Sequence, residues 1–282
     1  MKNLYIGFVS FITIGKVEFG WLSFKRLSAD YNLFMMSSNL RQYLPSGDEL
    51  WCSDDTPVDN EDQNFIPNFL LFLLEAIWKT RQDWFFAVDM GVYHTTGVNP
   101  RVPVVPDGFL SLGVERRKQG KSRRSYVVWE ENDIPPMFVL EVVSWTPGEE
   151  YDTKAAIYAN LGVLYYIIYN PEYWQRDRHQ PFEVYKLIDG SYELQKREPF
   201  WMPEIKLGIG RSPDPSGIIQ REVLSWYDEQ GNRYPTLEEQ AQQAQQARLD
   251  AIPRLLQMGL AVEQVAEVLG LSIDIVRTEV QK

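Results

Sequence analysis

Asp107 and Glu141 are the residues of this chain best placed to do chemistry. Asp107 stands in V-V-P-D-G-F-L, residues 104–110, and Glu141 in M-F-V-L-E-V-V-S, residues 137–144. The second run is otherwise apolar and rich in β-formers, so it reads as a buried strand. A lone acid in such a strand is expensive to desolvate unless a cation, a metal ion or hydrogen bonds compensate it. A second acid at the head of a neighbouring strand gives it a purpose, because two carboxylates can share a hard divalent ion. The competing reading of Asp107, which precedes Gly108, is a simple turn.

The elements around these acids narrow the geometry. Side chains alternate along a strand, so Val139, Glu141 and Val143 share one face and Ser144 takes the other. Residues 152–161 read as a helix stopped by Gly162. In it Lys154, Ile157, Tyr158 and Leu161 fall on one stripe. Ile157 and Leu161 must face the sheet, so Lys154 must too. A lysine in the first turn sits at the wrong pole of the helix dipole. It needs an anion beneath it, and Glu141 and Asp107 are the candidates. A plain buried ion pair bracing helix to strand is the alternative for Glu141 and Lys154, and Tyr158 and Tyr166 read as core. Glu150, four residues before Lys154, is a weaker candidate acid behind the pair. Asp89, in F-F-A-V-D-M-G-V, is another acid in an apolar setting, for which a structural role is favoured.

The remaining pattern predicts a mixed α/β fold. Residues 37–63 form an irregular lead-in. Residues 64–80 form a buried helix. Strands are expected over 84–93, 101–112, 125–130 and 137–144. After the 152–161 helix, residues 163–169 form a central strand covered on both faces. Residues 182–188 and 191–196 flank Asp189-Gly190, a hairpin signal. Residues 211–235 read as loop-rich. The Ala- and Gln-biased residues 236–250 read as a solvated helical linker or weak coiled coil, and 251–282 as a small helical tail.

In order, the motifs are Pro106-Asp107, Glu141-Val142-Val143-Ser144, Lys154, Tyr158-Ala159, Gly162-Val163 and Tyr166. This set resembles the PD-(D/E)XK nuclease superfamily, in particular its restriction-endonuclease-like subfamily in which the lysine has moved onto the following helix. The position two residues after Glu141 holds Val143, where the superfamily places its lysine. The resemblance implies a restriction-endonuclease-like mixed β-sheet flanked by helices over residues 51–230. An irregular or mis-started extension (1–50) would precede it and a helical linker and tail (231–282) follow. It implies a Mg²⁺-dependent endonuclease hydrolysing DNA phosphodiesters, with Mn²⁺ able to replace Mg²⁺. Asp107 and Glu141 would hold the metal, Lys154 would act on the attacking water or the phosphate, and a homodimer and a bacterial setting are expected. The rivals are a non-catalytic DNA- or protein-binding descendant of the fold, and an interaction protein working through its tail.

Composition bounds these readings. The 282 residues are 44 % hydrophobic and 13 % aromatic, as in folded globular chains. One cysteine, Cys52, excludes a disulfide framework and suits a reducing cytoplasm, and only His94 and His179 accompany it, which disfavours zinc. The longest apolar helical run, 69–74, is far short of the ~20 residues a membrane span needs. Lys16 and Glu18 argue against a signal peptide, and Met35 or Met36 is expected to be the true start, leaving 1–34 as extension. A net charge of −11 means that DNA contact must rest on a local patch. The patch is R-R-K-Q-G-K-S-R-R, comprising Arg116, Arg117, Lys118, Lys121, Arg123 and Arg124. It is either a phosphate-binding loop or a merely solvated one. The tail has the Ala266…Gly270…Val276 spacing of a helix-turn-helix, but Asp274 and Glu279 favour oligomerisation or partner docking over DNA.

Overall fold

The computed structural model describes residues 44–52, 60–146, 149–217 and 221–281. The chain divides between Leu44 and Pro45. The expected start at Met35 or Met36 lies outside the described residues, as does the Pro147-Gly148 loop. In chain order the helices are α1 (Glu61–Ile77), α2 (Thr153–Leu161), α3 (Trp174–Asp177), α4 (Leu237–Gln257), α5 (Val262–Leu269) and α6 (Ile273–Val280). The strands are β1 (Trp84–Val88), β2 (Val92–Tyr93), β3 (Gly108–Leu112), β4 (Tyr126–Val127), β5 (Phe138–Val142), β6 (Tyr165–Tyr169), β7 (Phe182–Ile188), β8 (Ser191–Gln195), β9 (Phe200–Met202), β10 (Leu207–Pro213) and β11 (Glu222–Tyr227).

Six strands form one mixed sheet in the order β1-β3-β5-β6-β7-β8. Within this sheet, among the described residues, only β5 and β6 run parallel, and the crossover that this requires is α2. The alternation of β5 sends Phe138, Leu140 and Val142 to one face and Val139, Glu141 and Val143 to the other. The first face is covered by α1, through Ile66, Leu70, Leu73 and Leu74, and by a separate antiparallel sheet β11-β10-β9. Each such buried aliphatic side chain contributes about 1.5–3 kcal/mol. Trp226 Nε1 donates to the Leu70 carbonyl at 2.9 Å, tying the small sheet to α1. The second face is covered by α2, with Tyr158 and Leu161 against Val139, Tyr166 and Ile168.

The helices and the hairpin match the sequence pattern. Asn60 caps α1 by accepting from the Asp62 and Gln63 amides, Gly162 closes α2 in the left-handed region, and Asp189-Gly190 turns β7 into β8 with positive φ at both residues. Three expectations need correction. The 84–93 strand breaks at Asp89, which has φ 49°, and β2 leaves the sheet to pair with β4. The 101–112 and 125–130 strands shrink to β3 and β4, with a 3₁₀ turn over Val128–Glu130. The segment read as loop-rich contains β11 and the end of β10. The start of β10 carries Gly208 and Gly210, which interrupt its apolar pattern, and a Cβ there would meet Tyr227 at 3.1 Å and Pro199 at 3.0 Å.

The linker helix is longer than expected, as α4 runs to Gln257. Its C-terminal part supplies Ile252 to a small separate core with Val265, Ala266 and Val276. Gly270 (φ 63°) separates α5 from α6. Among the described residues no helix is long and apolar enough to cross a membrane.

Candidate active site

Asp107 lies directly before β3, and the β3–β5 register pairs Gly108 with Leu140, so Asp107 stands abreast of Glu141. The next outward amide of β5, that of Val142, donates to Asp107 Oδ2 at 2.6 Å. The Asp89 amide in turn donates to the Asp107 carbonyl at 3.2 Å. The Asp-Gly pair is not a turn. Gly108 begins a strand, and it is glycine for room, because a Cβ there would meet Pro67 of α1 at 3.1 Å and the Phe86 ring at 3.4 Å.

Glu141 is 0 % exposed, and α2 supplies partners for both of its oxygens. Lys154 Nζ donates to Oε2 at 2.7 Å and the Tyr158 hydroxyl donates to Oε1 at 2.5 Å. The lysine side chain keeps 28 % of its exposure, whereas the carboxylate is buried. Lys154 and Tyr158 are one helical turn apart, which lets both fall on the same acid. Reading Tyr158 as core missed this hydroxyl. The available signal was its place on the lysine stripe, since a buried tyrosine seeks a partner for its O–H.

The electrostatics are those of too many acids around one cation. Burial pushes the Asp107 carboxyl well above the usual range, and the Glu141 charge adds to this against the Val142 amide and Lys154. Burial also raises Glu141, with Lys154 and Tyr158 pulling it back. For Lys154, burial works to lower the pKa. Glu141 outweighs it through charge and hydrogen bond, with Asp107 and Glu150 behind, so the ammonium is held above its ordinary value. Glu150 is buried, and its charge bears on both acids. It also orders the site through its carbonyl, which accepts from the Tyr166 hydroxyl at 2.6 Å.

Asp107 and Glu141 share one ammonium, with the Glu150 charge behind them, and the donors are hard oxygens. Both features fit a small divalent cation such as Mg²⁺ or Mn²⁺. Among the described residues no group of three or more His, Cys, Asp and Glu side chains is gathered as a metal cage. An ion here would therefore take Asp107 and Glu141 and complete its shell with water and substrate oxygens, as Mg²⁺ commonly does.

A family model described as "Putative restriction endonuclease", Uma2, matches residues 41–212. The chain belongs to the Uma2 family. The match contains Asp107, Glu141, Glu150 and Lys154 and ends within β10, leaving β11 and the helices α4–α6 outside it. Restriction-endonuclease-like architecture and a nuclease-like function follow from that membership. Comparison with curated proteins found no match.

The other residues singled out in this Uma2 chain are sorted by the structure. Asp89 is exposed, and its backbone amide donates to the Asp107 carbonyl. The basic run divides in two. The Arg123 side chain is 2 % exposed, forks onto Glu131 at 2.9 and 3.0 Å, and stacks over Phe85. Arg116 pairs with Glu75 and lies over Trp84, and Lys118 reaches Glu130 at 2.8 Å. Those three are tied into the fold by ion pairs and ring contacts. Arg117, Lys121 and Arg124 remain exposed.

Proposed function

We propose that this Uma2 chain is a metal-dependent endonuclease that hydrolyses DNA phosphodiester bonds. The observation that carries the reading is the Lys154–Glu141 contact at 2.7 Å with Asp107 abreast of it. It places an acid pair and a lysine together although the lysine comes from a helix. A Mg²⁺ or Mn²⁺ held by Asp107 and Glu141 would acidify a bound water and offset charge on the phosphate. The chain's own groups do the rest. Glu141 fixes the Lys154 head, which neutralises a phosphate oxygen or orients the attacking water. Tyr158 holds Glu141 in one orientation. Asp107, half-buried at the mouth, faces arriving substrate.

Purified full chain is expected to nick supercoiled plasmid in Mg²⁺ or Mn²⁺. Asp107→Ala and Glu141→Ala should each slow nicking at least about 100-fold, since the metal supplies several kcal/mol of charge stabilisation. A silent native protein that binds neither ion by calorimetry would favour a second reading, a non-catalytic binding module. The specific observation behind that reading is that both Glu141 oxygens already have partners within the fold.

A groove of about 350 Å³ along edge strand β1, between Ala87 and Met90 on one side and Arg117 and Lys121 on the other, supports a DNA path towards Asp107. Replacing Arg117 and Lys121 with Gln is expected to reduce the slope of log affinity against log salt by roughly 1–2. An unchanged slope would remove the loop from the interface.

A further inference from the structure

A second concavity, about 210 Å³, opens on the sheet face that carries Glu141. Its floor is Ile168, the register partner of Glu141 in the β5–β6 pair, so the cavity begins one strand away from the acid, about 5 Å. Ala155, the residue after Lys154, forms its helix side. The walls are aromatic. The Tyr151 and His179 rings are stacked at 3.6 Å and 9°, and Tyr166, Tyr185 and Tyr192 meet one another with centroids 5.4–6.4 Å apart.

The walls are also held in place. The Tyr185 hydroxyl donates to Glu183 at 2.8 Å, and His179 Nδ1 lies 3.3 Å from the same carboxylate. The Tyr151 hydroxyl accepts from the buried Asn170 amide at 3.1 Å, and the Tyr192 hydroxyl donates to the Val163 carbonyl at 2.9 Å. Tyr151, His179, Tyr185 and Tyr192 nonetheless stay partly exposed. Packing alone does not account for five aromatic rings fixed around an open space beside a charged site. Rings of this kind stack on the faces of nucleobases whatever the sequence.

We infer that the cavity bounded by Tyr151, His179, Tyr185 and Tyr192 is a subsite for one unstacked nucleobase, that of a nucleotide next to the phosphate bound at Lys154. The inference rests on the nuclease reading and sharpens it: the substrate is single-stranded DNA, or duplex with a base turned out of its stack. One base fills the space, while the rest of the strand passes over the acids.

The test compares binding of a short oligo(dT) with binding of an abasic sugar-phosphate strand of equal length, by fluorescence anisotropy in Ca²⁺ with the full chain. The native protein is expected to favour oligo(dT) by roughly 10-fold or more. Tyr185→Ala removes a wall, and Ala155→Trp fills the space without removing any ring. Each is expected to bring the preference to about one while affinity for the abasic strand holds, and Tyr185→Phe should keep it. Melting curves check that the variants are folded, and Ala155→Trp stands in if Tyr185→Ala is not. Equal native affinity for both strands overturns the inference, as does a folded Ala155→Trp that keeps the preference. If plasmid nicking persists in that case, only the subsite falls. If the protein neither nicks plasmid nor binds either strand, the nuclease reading falls with it.

Discussion

Replacing Lys154 with Met is expected to destabilise the protein by about 3 kcal/mol at pH 7 and to remove nicking. Glu141 has no exposure of its own, so losing the ammonium at 2.7 Å leaves a buried carboxylate with only the Tyr158 hydroxyl. Breaking one side of a buried ion pair typically costs about 3–5 kcal/mol. The lower end applies here because Lys154 is 28 % exposed and water enters its place. The loss is not the net worth of the pair, so Lys154→Met combined with Glu141→Gln should recover most of it. The effect also has a sign with pH. Burial already raises Glu141 in the folded state, and removing Lys154 raises it further. A raised carboxyl adds stability that is complete below its unfolded pKa, about 4.3, and lost as pH rises through the folded value. The gap between variant and native protein should therefore narrow towards pH 5. Urea melts at both pH values measure it. A neutral-pH loss below about 1 kcal/mol would mean that the pair is solvated.

That pair was legible in the sequence because two periodicities cross at it. Period 2 put Glu141 on the face of Val139 and Val143, and period 3.6 put Lys154 on the stripe of Ile157 and Leu161. Neither depends on long-range information. The same rules could not separate Tyr158 as packing from Tyr158 as hydrogen-bond donor, since both place the ring in the same spot. The basic run was visible as charge, but Arg116 is neutralised by Glu75, 41 residues earlier, and no local pattern shows that. Asp107-Gly108 left a turn open as a competing reading because the atoms that demand the glycine, from Pro67 and Phe86, belong to other elements. The small β9–β11 sheet was partly hidden for the same reason: Gly208 and Gly210 answer to Tyr227 and Pro199 across the fold. What the sequence concealed was crowding and neutralisation by distant residues. What it revealed was the facing of side chains within an element.

Asp107→Asn is expected to make the protein more stable than native at pH 8 without divalent ions, while nicking is lost. Asn keeps an oxygen for the Val142 amide, which donates to Oδ2 at 2.6 Å in the native protein, but it cannot ionise. In the native fold, burial first and the Glu141 charge second hold the Asp107 carboxyl well above the ordinary range. Its contribution is therefore complete below its unfolded pKa, about 3.9, and falls away as pH rises through the folded value. The native protein should lose stability between pH 4 and pH 8, and the variant should lose less. A divalent ion reverses the balance, because it binds the ionised form and must displace the proton. Mg²⁺ should then raise the native melting temperature more at pH 8 than at pH 5 and leave Asp107→Asn almost unmoved. Titration calorimetry in two buffers of different ionisation enthalpy should show proton release on binding to the native protein alone. If Asp107→Asn melts below native at pH 8 without metal, the carboxylate is worth more to the fold than to an ion. The acid pair would then be part of the scaffold, because a ligand site held ready for a cation is one the fold would be more stable without.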